Sequence, residues 1–385
     1  RLGRMKNFEQ NITMNYTLPL EKLPLTNWLN LEYRYNVGYS WRAGPVERVD
    51  TLKLGNIVQN TQNQGFNGRI DLVKLYNKVG FLKNVNSPPR PSTNLSKPKP
   101  NQPDTVKRPP EMKGLKQLTR LLMSVRNLTG QYTIDQGTIL PGFLPTPKFF
   151  GMDENWAAPG WSFVLGSQDP NIRFKAAENG WLSTGTNLTA PFSQIQNKEI
   201  TLRANVEPNS DFKIQLDVRK TAGTAFQEIF RFDVDSGRFE SLSPSRTGNY
   251  KISINTIRTS FRNNTSLESD VFQQFADNIP AIQQRFSATT GRSYETQSQD
   301  VLIPAFLAAY SGQSVDKVKL SPFPNVPVPG WRVDYSGLNK ITALKEVFQS
   351  VTISHGYNAS YSVLNYTNSL EYTDVDVNNP VENYN

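Results

Sequence analysis

The chain has 385 residues, with 42 basic and 33 acidic side chains, one histidine, no cysteine and a formal net charge of +9. The missing cysteines exclude a disulfide scaffold, a zinc–thiolate site and a thiol nucleophile. A mean hydropathy of −0.52, with no apolar run near about 18 residues, excludes a helical membrane protein but not a β-barrel, whose lumen face is polar.

The chain opens on alternation. Phe8, Ile12, Met14, Tyr16 and Leu18 share one parity against Asn7, Glu9, Asn11, Thr13, Asn15 and Thr17, with Gln10 the exception. From Leu29 to Arg42 the pattern is unbroken: Leu29, Leu31, Tyr33, Tyr35, Val37, Tyr39 and Trp41 oppose Asn30, Glu32, Arg34, Asn36, Gly38, Ser40 and Arg42. Successive strand side chains point to opposite faces, so this segment has one apolar and one polar face. Ordinary strands run about 5–6 residues and tilted membrane strands about 9–11, so the length suits a membrane wall. The aromatic Tyr39–Trp41 end is expected at a bilayer interface.

A third strand is expected to end near Ile70 to Tyr76, although Gln59 to Gln64 makes its middle polar. Residues 1–83 are thus read as transmembrane barrel strands. Residues 84–115 are rich in proline and lysine and are read as a solvated flexible loop. Residues 116–136 resume a strand, and 137–195 form a Gly/Pro/Trp-rich ordered insert. In 196–262, strands are expected at 198–206, 211–220, 228–234 and 248–261, the last with a bulge near Thr256. Ile200 and Leu202 oppose Arg203 and Asn205; Ile214 and Leu216 oppose Lys213, Asp217 and Arg219.

Residues 263–330 switch period. Val271, Phe272, Phe275, Ile279, Ile282 and Phe286 follow helical spacing, with Pro280 expected to kink or split the helix, and Val301 to Tyr310 suggests a second short helix. Residues 331–385 are read as a barrel hairpin and a following loop, built from Trp331–Leu338 and the alternating stretch Val351–Val363. The strands are too few to seal a barrel with long inserts, so an interior segment of a larger chain is expected. The fold class is all-β with small helical insertions: part of a very large antiparallel transmembrane β-barrel, with inserts at the rim or in the lumen.

Little in the sequence suggests chemistry. His355, the only histidine, sits between Ile353 and Tyr357 without a nucleophile or carboxylate pair nearby. Asp270 with Asp277, and Asp374 with Asp376, are weak candidates for a hard cation and read better as solvated. There is no phosphate-cradling glycine loop and no basic stripe with stacking aromatics, so neither nucleotide nor nucleic acid is expected. No catalytic, cofactor or metal residue is assigned, and no enzyme is expected.

The stretch Pro141-Gly142-Phe143-Leu144-Pro145, then Ala158-Pro159-Gly160-Trp161-Ser162-Phe163-Val164-Leu165-Gly166-Ser167-Gln168, Asp169-Pro170-Asn171-Ile172-Arg173 and Ala176 to Ser183, resembles the SprA/Sov family. Arg203 to Pro208, Phe230-Arg231-Phe232, Asp300 to Tyr310 and Thr352 to Tyr357 carry the same resemblance, which covers about residues 140 to 363. That family is the outer-membrane translocon of the bacterial type 9 secretion system. The resemblance implies a very large single-chain barrel that passes folded cargo bearing a C-terminal signal, in support of secretion and gliding motility. It also implies a shuttle barrel of the PorV type at a lateral gate, and a periplasmic plug protein. Glu32, Arg34, Asn36, Arg203, Asn205, Lys213, Asp217 and Arg219 are then expected to face the lumen. Leu31, Tyr33, Tyr35, Val37, Ile200, Leu202, Ile214 and Leu216 are expected to face membrane lipid. The rivals are another outer-membrane barrel transporter and a secreted β-sandwich adhesin or glycan-binding protein.

Overall fold

A computed structural model describes residues 3–45, 54–86, 119, 121–262, 265, 269–291 and 293–367. Most of the Pro/Lys-rich segment 84–115, and Asp374 and Asp376, lie outside the described residues.

The architecture is mostly antiparallel β-sheet with a few small helices. Strands β1 (Asn7–Leu18), β2 (Leu29–Arg42), β3 (Asn56–Asp71), β4 (Val125–Phe143), β5 (Phe192–Asn209), β6 (Phe212–Asp233) and β7 (Arg238–Ser253) pair in sequence order. At roughly 3.3 Å per residue, the 22 residues of β6 reach about 70 Å. Expected strands 211–220 and 228–234 are therefore one strand. The Thr221–Gln227 stretch between them contains small residues (Ala222, Gly223, Ala225) that hide the alternation. A bulge falls between Gln227 and Ile229 of β6; at Thr256, where one was expected, the strand has already ended.

The last strands, β8 (Gly330–Tyr335), β9 (Ile353–Tyr357) and β10 (Ser360–Thr367), correct the expected terminal hairpin. β8 pairs with Phe212–Asp217 of β6, below the part of β6 that pairs with β7. β9 pairs with β8, and β10 pairs with β7. β7 and β8 thus run end to end along β6 in one direction, and β9 and β10 run end to end beside them. Ten strands lie on eight lines of an up-and-down meander. The Val328 amide donates to the Ser253 carbonyl at 2.9 Å and the Ile254 amide to the Ala359 carbonyl at 3.1 Å, which ties the two breaks together.

Short helices α1 (Leu72–Tyr76) and α2 (Gly80–Asn86) follow β3, so Leu72–Tyr76 is helical instead of the end of a strand. Asp71 caps α1 by accepting from the Lys74 amide at 3.0 Å, which stops β3 at that point. Residues 144–191 fold into an insert with helices α3 (Trp161–Val164) and α4 (Ile172–Glu178). A second insert, between β7 and β8, carries α5 (Asp270–Thr290) and α6 (Gln299–Ser311). Ser269 caps α5 through the Phe272 amide, and left-handed Gly291 and Gly312 end the two helices. α5 continues through Pro280, which removes one backbone donor without splitting it.

Two hydrophobic cores form, both on the apolar face of the sheet. In the first, Tyr39, Trp41, Val58, Leu140, Phe192 and Phe230 pack beneath Met152, Phe163, Val164, Ile172 and Ala176 of the first insert. Tyr39 and Trp41, expected at a bilayer interface, are 2% and 3% exposed in this core. In the second, Tyr250, Ile252 and Tyr361 lie beneath Ile282 and Phe286 of α5 and Val301, Ala305 and Ala308 of α6. A short helix α7 (Thr342–Lys345) lies between β8 and β9.

Candidate functional site: a two-faced sheet

Strand register carries the parity of each strand across the sheet. Leu31 opposes Gly68, which opposes Gly130, Leu202 and Val218 in turn. One row along, Tyr16, Tyr33, Phe66, Tyr132 and Ile200 stand side by side. Further down, Leu29, Ile70, Leu128, Ala204 and Leu216 meet Trp331 and Tyr357, whose rings stack at 4.5 Å. Ile214 continues the same face beside Val206 and Val333. These rows make an apolar belt from Leu29 to Tyr35 along β2, about 20 Å at some 3.4 Å per residue, with Gln64 and Lys198 in its uppermost row. Tyr16 is 54% exposed, Met14 49% and Leu202 40%, so the belt is open over β1 to β5.

Seven of the eight residues expected to meet lipid lie on this belt. Val37 is different: the first insert covers it to 3% exposure, and Gly166 sits against its methyl groups. Tyr35 marks the edge, since its hydroxyl donates to the Leu165 carbonyl at 2.7 Å and accepts from Gln62 Nε2 at 3.0 Å. Above it the face turns polar in the row Gln62, Gln136, Gln196 and Thr224, beside an open cavity of about 340 Å³ lined also by Gln168, Gln194 and Arg246.

Those amides explain how an irregular chain sits on a sheet. Buried backbone groups need partners, and the first insert has little regular structure to supply them. Asn60 Nδ2 donates to the carbonyls of Phe163 and Ser167 at 2.9 Å each, and Gln168 Nε2 donates to Asn60 Oδ1 at 2.9 Å. Gln194 Nε2 donates to the Asp169 carbonyl at 3.0 Å, and Trp41 Nε1 to the Pro145 carbonyl at 3.1 Å. In the polar middle of β3, Asn60 is the socket for the insert, while Gln62, Asn63 and Gln64 bond neighbouring strands. These polar roles are why the β3 sequence looks weak as a strand.

A buried ion pair completes the seat. Arg173 of α4 pairs with Glu228 of β6, which is 3% exposed and accepts from Ser241 Oγ at 2.5 Å. The guanidinium lies 4.2 Å from the ring centre of Phe174, 5.0 Å from Phe192 and 5.4 Å from Phe226. Burial pulls the Arg173 pKa below its usual value, opposed by the nearby Glu228 charge and their hydrogen bond. Asp169 lies below the usual carboxylate range, chiefly through its hydrogen bond with Lys175.

The opposite face is largely polar, with Ile139 and the 47%-exposed Ile195 set into it, and gathers all eight residues expected in a lumen. Arg203 Nε pairs with Asp217 Oδ1 at 2.6 Å, Arg219 Nη2 with Glu199 Oε1 at 3.0 Å, and Arg34 Nε with Glu32 Oε1 at 2.8 Å. Asn205 Nδ2 donates to Asn127 Oδ1 at 2.7 Å, Asn36 Nδ2 to Asn63 Oδ1 at 3.4 Å, and Gln215 Nε2 to Asp217 Oδ2 at 2.6 Å. Lys213 stands opposite Asp334. Charges of both signs alternate along this wall and are largely paired with each other.

His355 stands opposite Val333 on the belt side, exposed. Asp277 accepts from Gln273 Nε2 at 3.0 Å on the same helix. Among the described residues no three His, Cys, Asp or Glu side chains are grouped to hold a metal, and no helix is long and apolar enough to cross a membrane, which has no bearing on strands. The Arg173–Glu228 pair was not read from the sequence, since no pattern links α4 to β6. An exposed set of rings on the first insert, Phe149, Phe150, Trp156 and Trp161, also stood unassigned, with only the local density of Trp and Phe to signal it.

No protein-family model matches the chain, and no curated protein matches it.

Proposed function

We propose that the chain is a wall segment of a protein-conducting outer-membrane β-barrel of the type 9 secretion system, with the polar face lining the lumen. The observation that carries this reading is the meander of eight long strand lines with an open apolar belt on one face and a self-paired polar wall on the other. Its function is conduction without covalent chemistry. Paired charges and amides keep the wall hydrated, and they offer a folded client few apolar places to adhere. The belt supplies the lipid contact that a barrel needs over a band about 25 Å tall. Tilted strands shorten the belt of about 20 Å along β2 to about 15 Å, so it accounts for part of that band, and the outer membrane is thinner than most bilayers. The shuttle barrel, the plug and cargo with a C-terminal signal enter this reading as its partners.

The reading is tested by a parity swap in the full-length parent protein. Leu202→Arg puts a charge on the belt, at a cost of about 2–4 kcal/mol near the midplane, and is expected to abolish outer-membrane assembly. Arg203→Gln, one residue away on the polar wall, is expected to assemble normally. Equal tolerance of both overturns the lipid assignment. Val37 is unsuited to this test because the insert covers it.

A second reading is favoured by one observation: over β7 and β10 the belt rows of Tyr250, Ile252 and Tyr361 are buried by the helical insert. In a secreted β-sandwich binding protein the rest of the belt is covered by further protein in the same way. Extraction separates the two, since that protein stays soluble without detergent and the barrel does not.

A further inference from the structure

We propose that Phe149, Phe150, Trp156 and Trp161 form a rigid shelf on the first insert that lies in the headgroup–acyl boundary of the bilayer. The proposal rests on the lipid assignment of the belt. Phe149 stacks on Trp156 with ring centres 5.9 Å apart and planes 9° apart, and Trp156 stacks on Trp161 at 5.7 Å and 22°. All four side chains are exposed, so the stack shields ring against ring and leaves one apolar surface uncovered. Aromatic rings that are apolar on one side and wet on the other concentrate at membrane interfaces.

The shelf is built to hold its shape. Met152, fully buried, anchors its turn in the core, with the Met152 amide donating to the Phe149 carbonyl at 2.9 Å and the Lys148 amide to the Met152 carbonyl at 2.7 Å. Asp153 Oδ1 accepts from the amides of Ala157 at 2.7 Å and Ala158 at 3.0 Å. Phe150 and Trp156 both take left-handed backbone, at φ 50° and φ 59°, a conformation bulky residues avoid unless the surrounding structure imposes it. Strained backbone that presents large apolar rings to the exterior points to a partner for those rings.

Position selects the bilayer as that partner. The Leu165 amide donates to the Trp161 carbonyl at 2.9 Å, and the Leu165 carbonyl accepts from the hydroxyl of Tyr35, at the upper edge of the belt. The shelf therefore continues the open apolar surface past the row where the sheet face becomes amide-rich, which is the level of the headgroups.

The test reconstitutes the full chain in phosphatidylcholine vesicles with acyl chains brominated near the headgroup or near the methyl end, and reads tryptophan quenching. W156F/W161F is expected to lose most of the headgroup-level quenching, and W331F the deeper quenching, because Trp331 lies within the belt. If the shelf signal is quenched only by aqueous acrylamide, or by neither agent, while Trp331 responds to lipid, the shelf proposal falls and the belt assignment stands. If Trp331 also ignores brominated lipid, both fall. W28F/W181F leaves the shelf rings in place and reads the same contrast should the double variant not assemble.

Discussion

The two inserts cover the same face of one sheet by opposite means. In the helical insert only the non-helical end borrows donors from the sheet, Tyr250 Oη to the Pro324 carbonyl and Lys220 Nζ to the Asn325 carbonyl. Helices α5 and α6 bond most of their backbone internally and rest on apolar contact from Ile282, Phe286, Val301 and Ala308 over Tyr250 and Ile252. The 144–191 insert is mostly irregular and cannot do so. It borrows donors from the sheet, from Asn60, Gln194 and Trp41, and is fixed by one buried charge pair. Polar fastening demands particular partners at particular places, whereas apolar packing tolerates substitution that preserves volume. The first insert is therefore expected to fail at single points and the second to fail by degrees.

The sharpest break is at the charge pair. Glu228→Ala leaves Arg173 buried without its counter-charge and is expected to cost about 3–5 kcal/mol, read as new protease cleavage within 144–191 while the helical insert stays protected. Loss of protection in both inserts together would show that they are not independent. Ile282→Ala, at a fully buried site, is expected to cost about 2–5 kcal/mol and to raise amide exchange in α5 and α6 alone. Gly166→Ala adds a Cβ 2.9 Å from Val37 Cγ2 at a backbone φ of +89°. The expected loss is about 1–3 kcal/mol, confined to the edge of the first insert and read as faster exchange at Leu165 and Gly166.

Acid gives the smallest effect and one of opposite sign in the two inserts. Asp169 has a lowered folded pKa, so its contribution is present above the ordinary carboxylate value and fades as pH falls through the folded one. Lys175 is largely exposed, so this pair contributes under about 1 kcal/mol. Burial raises the Asp300 pKa, against a hydrogen bond from Ser298. Its contribution is present below the ordinary value and fades as pH rises through the raised one. In pH-resolved amide exchange, acidification down to the ordinary carboxylate value is expected to tighten the second insert, and only acidification below that value to loosen the first slightly. Asp300→Asn is expected to flatten the second response.

Much of this was legible in the sequence wherever a local period governs. Alternation located β1, β2, β5 and the ends of β6, spacing near 3.6 found α5, and the apolar run Val301 to Tyr310 was read as the short helix α6. Parity also sorted Arg203 from Leu202 and Lys213 from Ile214 onto their faces. What escaped is what depends on contact between distant segments. Tyr39 and Trp41 read as surface aromatics because nothing in β2 announces that residues 152–176 lie on them. Val351–Val363 alternates without pause, yet it breaks at Asn358–Ala359 because its two halves face different partners, β8 and β7.

The break between β7 and β8 has a topological meaning. Ser253 stands opposite Arg219 and Gly330 opposite Asp217, so one residue facing Val218 would join them in register, and the Val328 amide already reaches Ser253. The helical insert is a detour that leaves its strand line and returns to the same place, so it adds nothing to the tally of strand lines in the meander. Eight strand lines bring β10 back to the edge at which β1 began, whatever the length of the detour. A change in the length of the detour turns no other loop to the opposite end of the sheet, although the detour also covers Tyr250, Ile252 and Tyr361.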